Sequence, residues 1–228
     1  MSAASGGAYP PPGMRGPPAL AWWALRARTS GVVVEGLEHV PRAGPVLLVA
    51  RHYHHVLDGA VLLRAVPRPI HVVVALDWAP NPRARRWMER ACAWAQWPVI
   101  LRSVEVANGA YAGASPLGYV RRGLRHAARL LAAGRVVAVF PEGYPAIDPS
   151  PHPRPARDAA GFLPFRPVVA TLTRLAERAG ARDLAVVPVG FRYAREGARW
   201  HIAARFGPAI DPAAPPAALE AAVRGLSV

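Results

Sequence analysis

Between about residues 32 and 206, short apolar runs alternate with helix-like stretches, and this alternation constrains the fold more than any other feature. It is the pattern of an α/β domain with a mainly parallel central sheet covered by helices. Strands are expected over 32–35, 46–50, 70–76, 99–101, 136–140, 184–189 and 200–206. Most are continuous apolar runs, as strands buried on both faces should be. The clearest helix covers 117–133, where Leu117, Val120, Leu124, Ala128 and Leu131 recur at helical spacing and Gly134 supplies the stop. Residues 83–95 and 167–179 read similarly, and Pro215-Pro216 opens a short final helix. One stretch, 145–155, holds five prolines in eleven residues and should be an irregular loop after a strand end.

At 228 residues, 52% hydrophobic and 18% charged, the chain suits one globular domain. Cys92 is the single cysteine, so a disulfide framework and a cysteine zinc site are excluded by count. No segment reaches the ~18 uninterrupted apolar residues of a spanning helix. Residues 1–18 are Gly/Pro-rich, lack the order of a signal peptide, and read as a disordered tail of a cytoplasmic protein. Residues 19–30 follow as a helix with Leu20, Trp22, Trp23 and Leu25 ahead of Arg26 and Arg28. Such a segment fits an interfacial helix on a membrane, and equally a helix packed on the domain's own core. The domain proper is expected over 31–228.

The net charge is +14, and with no Lys in the chain all of its permanent cationic side chains are Arg. A cationic surface attracts anionic lipids, nucleic acids and phosphorylated substrates. Nucleic acid is the weakest of these, because the arginines are scattered and no recognition motif accompanies them.

Three polar clusters follow strands, where open α/β sheets build their sites. The first is Arg51-His52-Tyr53-His54-His55-Val56-Leu57-Asp58-Gly59. A His hydrogen-bonded to a carboxylate is held in one tautomer and made more basic, as a general base for a hydroxyl requires. A metal site built on His52, His54 and Asp58 is the rival chemistry, but further ligands are not evident, and a capped polar turn is the bland alternative. The second cluster, Phe140-Pro141-Glu142-Gly143, offers a carboxylate beside bare backbone. The third, Arg102-Ser103, offers a guanidinium that could clamp a phosphate.

Taken in order, these blocks resemble the glycerolipid acyltransferase family, whose best-known members are the 1-acylglycerol-3-phosphate O-acyltransferases. Gly36-Leu37-Glu38-His39-Val40-Pro41 is similar to the family's G-x-E-x-x-P lead-in, and Val187-Pro188-Val189-Gly190 to its fourth block. The resemblance implies acyl transfer in phospholipid biosynthesis, at the inner face of the membrane. It implies that a His takes the proton of an acceptor hydroxyl, which attacks the thioester of acyl-CoA or acyl-carrier protein, with no resident cofactor or metal. It implies that Asp58 orients the His, and that Arg102, Glu142 and Gly143 position a lysophospholipid or related glycerolipid. A relative with a degenerate site, binding lipid without catalysis, is the other reading.

Two departures stand out. The family spacing is His-x₄-Asp, which counted back from Asp58 gives Tyr53, and a phenol with a pKa of ~10 is no substitute for imidazole. The base is then His52, with one extra residue in the turn, or His54, one helical turn before Asp58; helical geometry slightly favours His54. After Gly143 the family continues Thr-Arg or Ser-Arg, whereas Tyr144-Pro145 stand here. Phosphate binding would fall to Arg102, Arg154 or Arg157, or the acceptor carries no phosphate.

Overall fold

A computed structural model describes residues 15–102, 110–147 and 156–228. Most of the expected tail, Ser103, Arg154 and residues 148–155 of the proline-rich stretch lie outside the described residues. The chain opens with α1 (Pro17–Arg28), β1 (Thr29–Glu35), β2 (Val46–Ala50), α2 (Leu57–Ala65), β3 (Ile70–Val72) and β4 (Val74–Ala75). It continues through α3 (Pro82–Trp94), β5 (Val99–Ile100), α4 (Pro116–Ala132), β6 (Val136–Val139) and α5 (Val168–Arg178). It closes with β7 (Ala185–Glu196), β8 (Arg199–Phe206) and α6 (Pro216–Leu226).

Six strands form the main sheet in the order β1-β8-β7-β2-β6-β3, with every pair parallel except β7–β8. The mainly parallel α/β sheet expected from the alternation of runs is the observed one. Successive residues of β2 point to opposite faces, and both faces are covered. Val46, Leu48 and Ala50 pack with α1 and α2, whereas Leu47 and Val49 pack with α4, α5 and α6. All five are fully buried, which explains an unbroken Val-Leu-Leu-Val-Ala run.

Two strands differ from their expected extents. The run 70–76 divides, because Val73 N–H still bonds Ala138 C=O while Val74 N–H turns to Pro98 C=O. β4 therefore pairs with β5 in a separate two-stranded ribbon. The run 184–189 continues to Glu196 as one arm of an antiparallel hairpin with β8, turning at Gly197, whose φ is positive. Its outer half carries Arg192, Arg195 and Glu196, so apolar content does not mark it as strand.

Helix α1 packs one side inward and leaves the other exposed. Ala21 and Leu25 join the core formed with α2, whereas Leu20 and Trp23 stay largely exposed. α3 and α4 start on well-defined caps: the Asn81 side chain accepts from Arg83 and Ala84 N–H, and Ser115 Oγ accepts from Gly118 N–H. Each is followed by a proline at the first helical position.

Gly36 in the lead-in motif has φ 71°, and a Cβ there would run into the Phe206 carbonyl oxygen at the end of β8. Gly36→Ala should therefore destabilise the protein by about 1–3 kcal/mol from backbone strain, before the clash is counted. A lowered thermal unfolding midpoint checks this, with Gly44→Ala, which meets nothing within 4 Å, separating clash from the strain of positive φ.

Candidate active site

The site is assembled where β2 and β6 end side by side. After Ala50 the chain leaves the sheet and pairs with the segment that follows β6. Ala146 and Ile147 N–H donate to the His52 and Tyr53 carbonyls, and His55 N–H donates to Ile147 C=O. The two post-strand loops thus hold each other, which fixes residues 52–55 before α2 begins.

Asp58, in the first turn of α2, is fully buried and is the hub of the site. Its Oδ2 accepts from Tyr53 N–H at 2.7 Å and His54 N–H at 2.9 Å, and lies 3.0 Å from His52 Nδ1. Its Oδ1 accepts from the Tyr193 hydroxyl at 2.5 Å. A carboxylate near a helix N-terminus is also favoured by the helix dipole. The preference for His54 as the partner of Asp58 is corrected by this geometry. One helical turn does bring residue 54 to Asp58, but it brings the backbone N–H, and the imidazole that meets the carboxylate belongs to His52. The extra residue relative to His-x₄-Asp is absorbed in the turn 53–56.

His52 is partly exposed, and its ring stacks on Phe140 with centroids 4.4 Å apart. An imidazole held by Asp58 at Nδ1 and by a flat aromatic face has its orientation defined on two sides. With Nδ1–H donated to Asp58, Nε2 is left as the acceptor, the state needed to take a proton.

His54 is engaged differently. Its ring is buried, and Nδ1 lies 3.3 Å and 3.4 Å from the Val56 and Leu57 N–H groups, so it caps α2 as an acceptor. Burial, reinforced by neighbouring His55, lowers its pKa from 6.5 to about 4. Protonating Nδ1 would also aim an N–H at two other N–H donors. Because the folded-state pKa is lowered, the unfolded chain takes up this proton first as pH falls. Stability is therefore expected to decline between about pH 6.5 and 4, and chemical denaturation across that window should show it. His54→Asn keeps a capping acceptor without titrating and should flatten that part of the profile.

Glu142 is 1% exposed. Its Oε1 accepts from His52 N–H at 2.9 Å, and its Oε2 accepts from Arg157 Nη1 at 2.9 Å and Leu163 N–H at 3.0 Å. The residue expected to hold an acceptor is thus bonded to the protein, tying the third block to the His52 turn. Arg157, one of the expected phosphate ligands, also donates to the Gly161 and Tyr144 carbonyls. Arg102 is buried, with Nε 2.7 Å from Asp77 Oδ2 and Nη1 donating to Gly143 C=O at 3.1 Å. Its guanidinium lies over the Tyr144 ring, 4.2 Å from the centroid. Gly143 has φ 77° and faces Arg166, so its bare backbone accommodates a close approach.

Tyr193 was not foreseen as a site residue. It stacks on Tyr53 with ring centroids 4.4 Å apart, and burial together with the Asp58 charge raises its pKa well above the usual value, so it remains a donor. The available signal was the period-two alternation Val187, Val189, Phe191, Tyr193, which carries the strand's inward face past the apolar run. Tyr193→Phe leaves Asp58 Oδ1 without that donor and should cost about 1–3 kcal/mol of stability. Urea denaturation of the variant measures it.

Among the described residues, no three His, Cys, Asp or Glu side chains are grouped so as to hold a metal ion. His52 and His54 both neighbour Asp58, but their Nδ1 atoms face a carboxylate and a helix end respectively.

A mainly parallel sheet carries the His/Asp pair at its C-terminal edge, held by a buried Glu after the neighbouring strand β6, and the chain belongs to the acyltransferase family. The family's model matches residues 31–192. The fold is similar to the crystal structure of the 1-acyl-sn-glycerophosphate (LPA) acyltransferase PlsC from Thermotoga maritima. That likeness has a TM-score of 0.58 and 19% sequence identity, covering 92% of this chain and 76% of the other. No curated protein sequence matches the chain.

Proposed function

We propose that this protein moves a fatty acyl chain from acyl-CoA or acyl-carrier protein to the hydroxyl of a lysophospholipid or related glycerolipid acceptor. The observation that carries the reading is the His52–Asp58 pair, buried on the Asp58 side and open enough at His52 to receive a substrate. His52 Nε2 takes the hydroxyl proton as the oxygen attacks the thioester carbonyl. The tetrahedral intermediate collapses, the carbon–sulfur bond breaks, and His52 returns the proton to the leaving thiolate. Asp58 holds the tautomer and offsets the imidazolium charge; Tyr193 and the Tyr53 and His54 N–H groups hold Asp58. Glu142 fixes the His52 backbone through Oε1.

Arg102 and Gly143 are the proposed edge of the acceptor site, lying together through the Arg102–Gly143 bond. The family-like PlsC neighbour is an LPA acyltransferase by name, and a phosphate-bearing acceptor is consistent with a guanidinium placed there. The setting we infer is the cytoplasmic face of a membrane, with no resident cofactor. Among the described residues no helix is long and apolar enough to cross a bilayer.

The test is release of free thiol from acyl-CoA in the presence of lysophosphatidic acid or a lysophospholipid, with the acylated lipid identified by mass. Acceptor-dependent release that Asp58→Asn and His52→Ala both abolish supports the reading. Full turnover in both variants removes it.

A further inference from the structure

We propose that the outer face of α3, with the groove at its C-terminal end, is the surface by which this protein docks on an anionic phospholipid bilayer. The proposal rests on the lipid chemistry inferred above and names the face that meets the membrane. α3 buries only Cys92. Trp87 and Trp94 are 72% and 68% exposed and stand seven residues apart, two helical turns, on one stripe. Arg83 and Arg90 share that stripe at i−4 and i+3 from Trp87, Arg86 lies beside it, and all three are exposed. Arg85, on another side, is instead paired with Glu89 and donates to Ala110 C=O.

Two exposed indoles interleave with arginines that make no ion pair among the described residues, a combination suited to more than a purely aqueous surface. Indole rings favour the headgroup level of a bilayer, where guanidinium groups meet lipid phosphates. A second observation lies at the end of the stripe. A groove of about 600 Å³ opens between Trp94 and Pro17-Pro18, with Ile70 and Val66 along it and exposed Arg64 among its lining. A largely apolar groove whose lining also holds Arg64 and Arg68 suits part of an anionic phospholipid. At the other end, Trp78 is 47% exposed and adjoins Asp77, the partner of Arg102. Thirteen helical residues span roughly 20 Å, so the stripe separates Trp78 from the groove by about that distance. The occupant is an anionic lipid surface rather than a second copy, since two such faces on a chain of net charge +14 repel.

The full chain is mixed with phosphatidylcholine vesicles with and without phosphatidylglycerol, and binding is read by co-sedimentation and tryptophan emission. Strong binding only with phosphatidylglycerol is expected. Arg83→Gln/Arg86→Gln/Arg90→Gln should weaken it on the order of 10²-fold, one lipid contact being lost per arginine, and Trp87→Ala/Trp94→Ala should weaken it as well. Their thermal unfolding should stay as in the wild type. Wild-type vesicle binding in both α3 variants overturns the proposal, as does complete loss confined to Leu20→Ala/Trp23→Ala on α1. A dimer in solution that occludes Trp87 overturns it too. Transfer to a short-chain, water-dispersed acceptor separates the two readings. Docking without transfer defeats the enzymatic assignment alone, and transfer without α3-dependent docking defeats this one alone.

Discussion

His52→Ala is expected to lose acyl transfer by at least ~10²–10⁴-fold, the ordinary contribution of a positioned general base, while keeping its fold. The reason for expecting an intact fold is local. The structural bonds at position 52 are made by the backbone, to Glu142 Oε1 and from Ala146 N–H, and an alanine retains both. The side chain contributes one bond to Asp58 and a stack on Phe140 at a partly exposed position. Asp58→Ala is a less clean probe. It would strand the Tyr53 N–H, His54 N–H and Tyr193 hydroxyl donors as well, so lost activity would be mixed with lost stability. The comparison that decides the assignment is His52→Ala against His54→Asn. Turnover should collapse in the first and stay within several-fold of wild type in the second, measured as thiol release at saturating donor. A collapse in His54→Asn with His52→Ala active would reverse the roles.

This outcome bears on how far the site could be read from the residues alone. The Asp was legible as the anchor of the cluster, because it stands in the first turn of a helix directly after a fully buried strand. The choice of histidine was not. Spacing arguments place Cα atoms, and His54 does stand one turn from Asp58, but whether backbone or ring reaches the carboxylate depends on the path of the turn. That path is set by pairing with residues 146 and 147, more than ninety positions away. The same distance hid Tyr193, which approaches Asp58 from the far end of β7. Glu142 was found by its place after a strand, yet its environment could not be anticipated, because its partners Arg157 and Leu163 come from beyond the proline-rich stretch. The strand and helix alternation was easier to read. Continuous apolar runs such as 46–50 and 136–139 mark doubly covered strands without reference to anything distant, whereas the polar outer half of β7 becomes strand only because β8 pairs with it.

Glu142→Ala should destabilise the protein by roughly 3–5 kcal/mol, the usual consequence of removing one partner from a buried ion pair. The carboxylate is fully enclosed, Arg157 is mostly so, and the Leu163 and His52 N–H groups would lose their acceptor together. Glu142→Gln is the more informative change. The amide fits the same space and can still accept at one oxygen, but its NH₂ must then face either the His52 N–H or the Arg157 and Leu163 donors. A loss of about 1–3 kcal/mol is expected, with a fall in kcat because the His52 turn shifts relative to Phe140 and Asp58. A residue contacting only the acceptor would behave otherwise, raising KM and leaving thermal unfolding unchanged. Measuring unfolding midpoint, kcat and KM on the Gln variant therefore separates a group that holds His52, the proposed base, from one that holds the substrate. The bonds made by Glu142 predict a lowered midpoint with kcat as the parameter that moves.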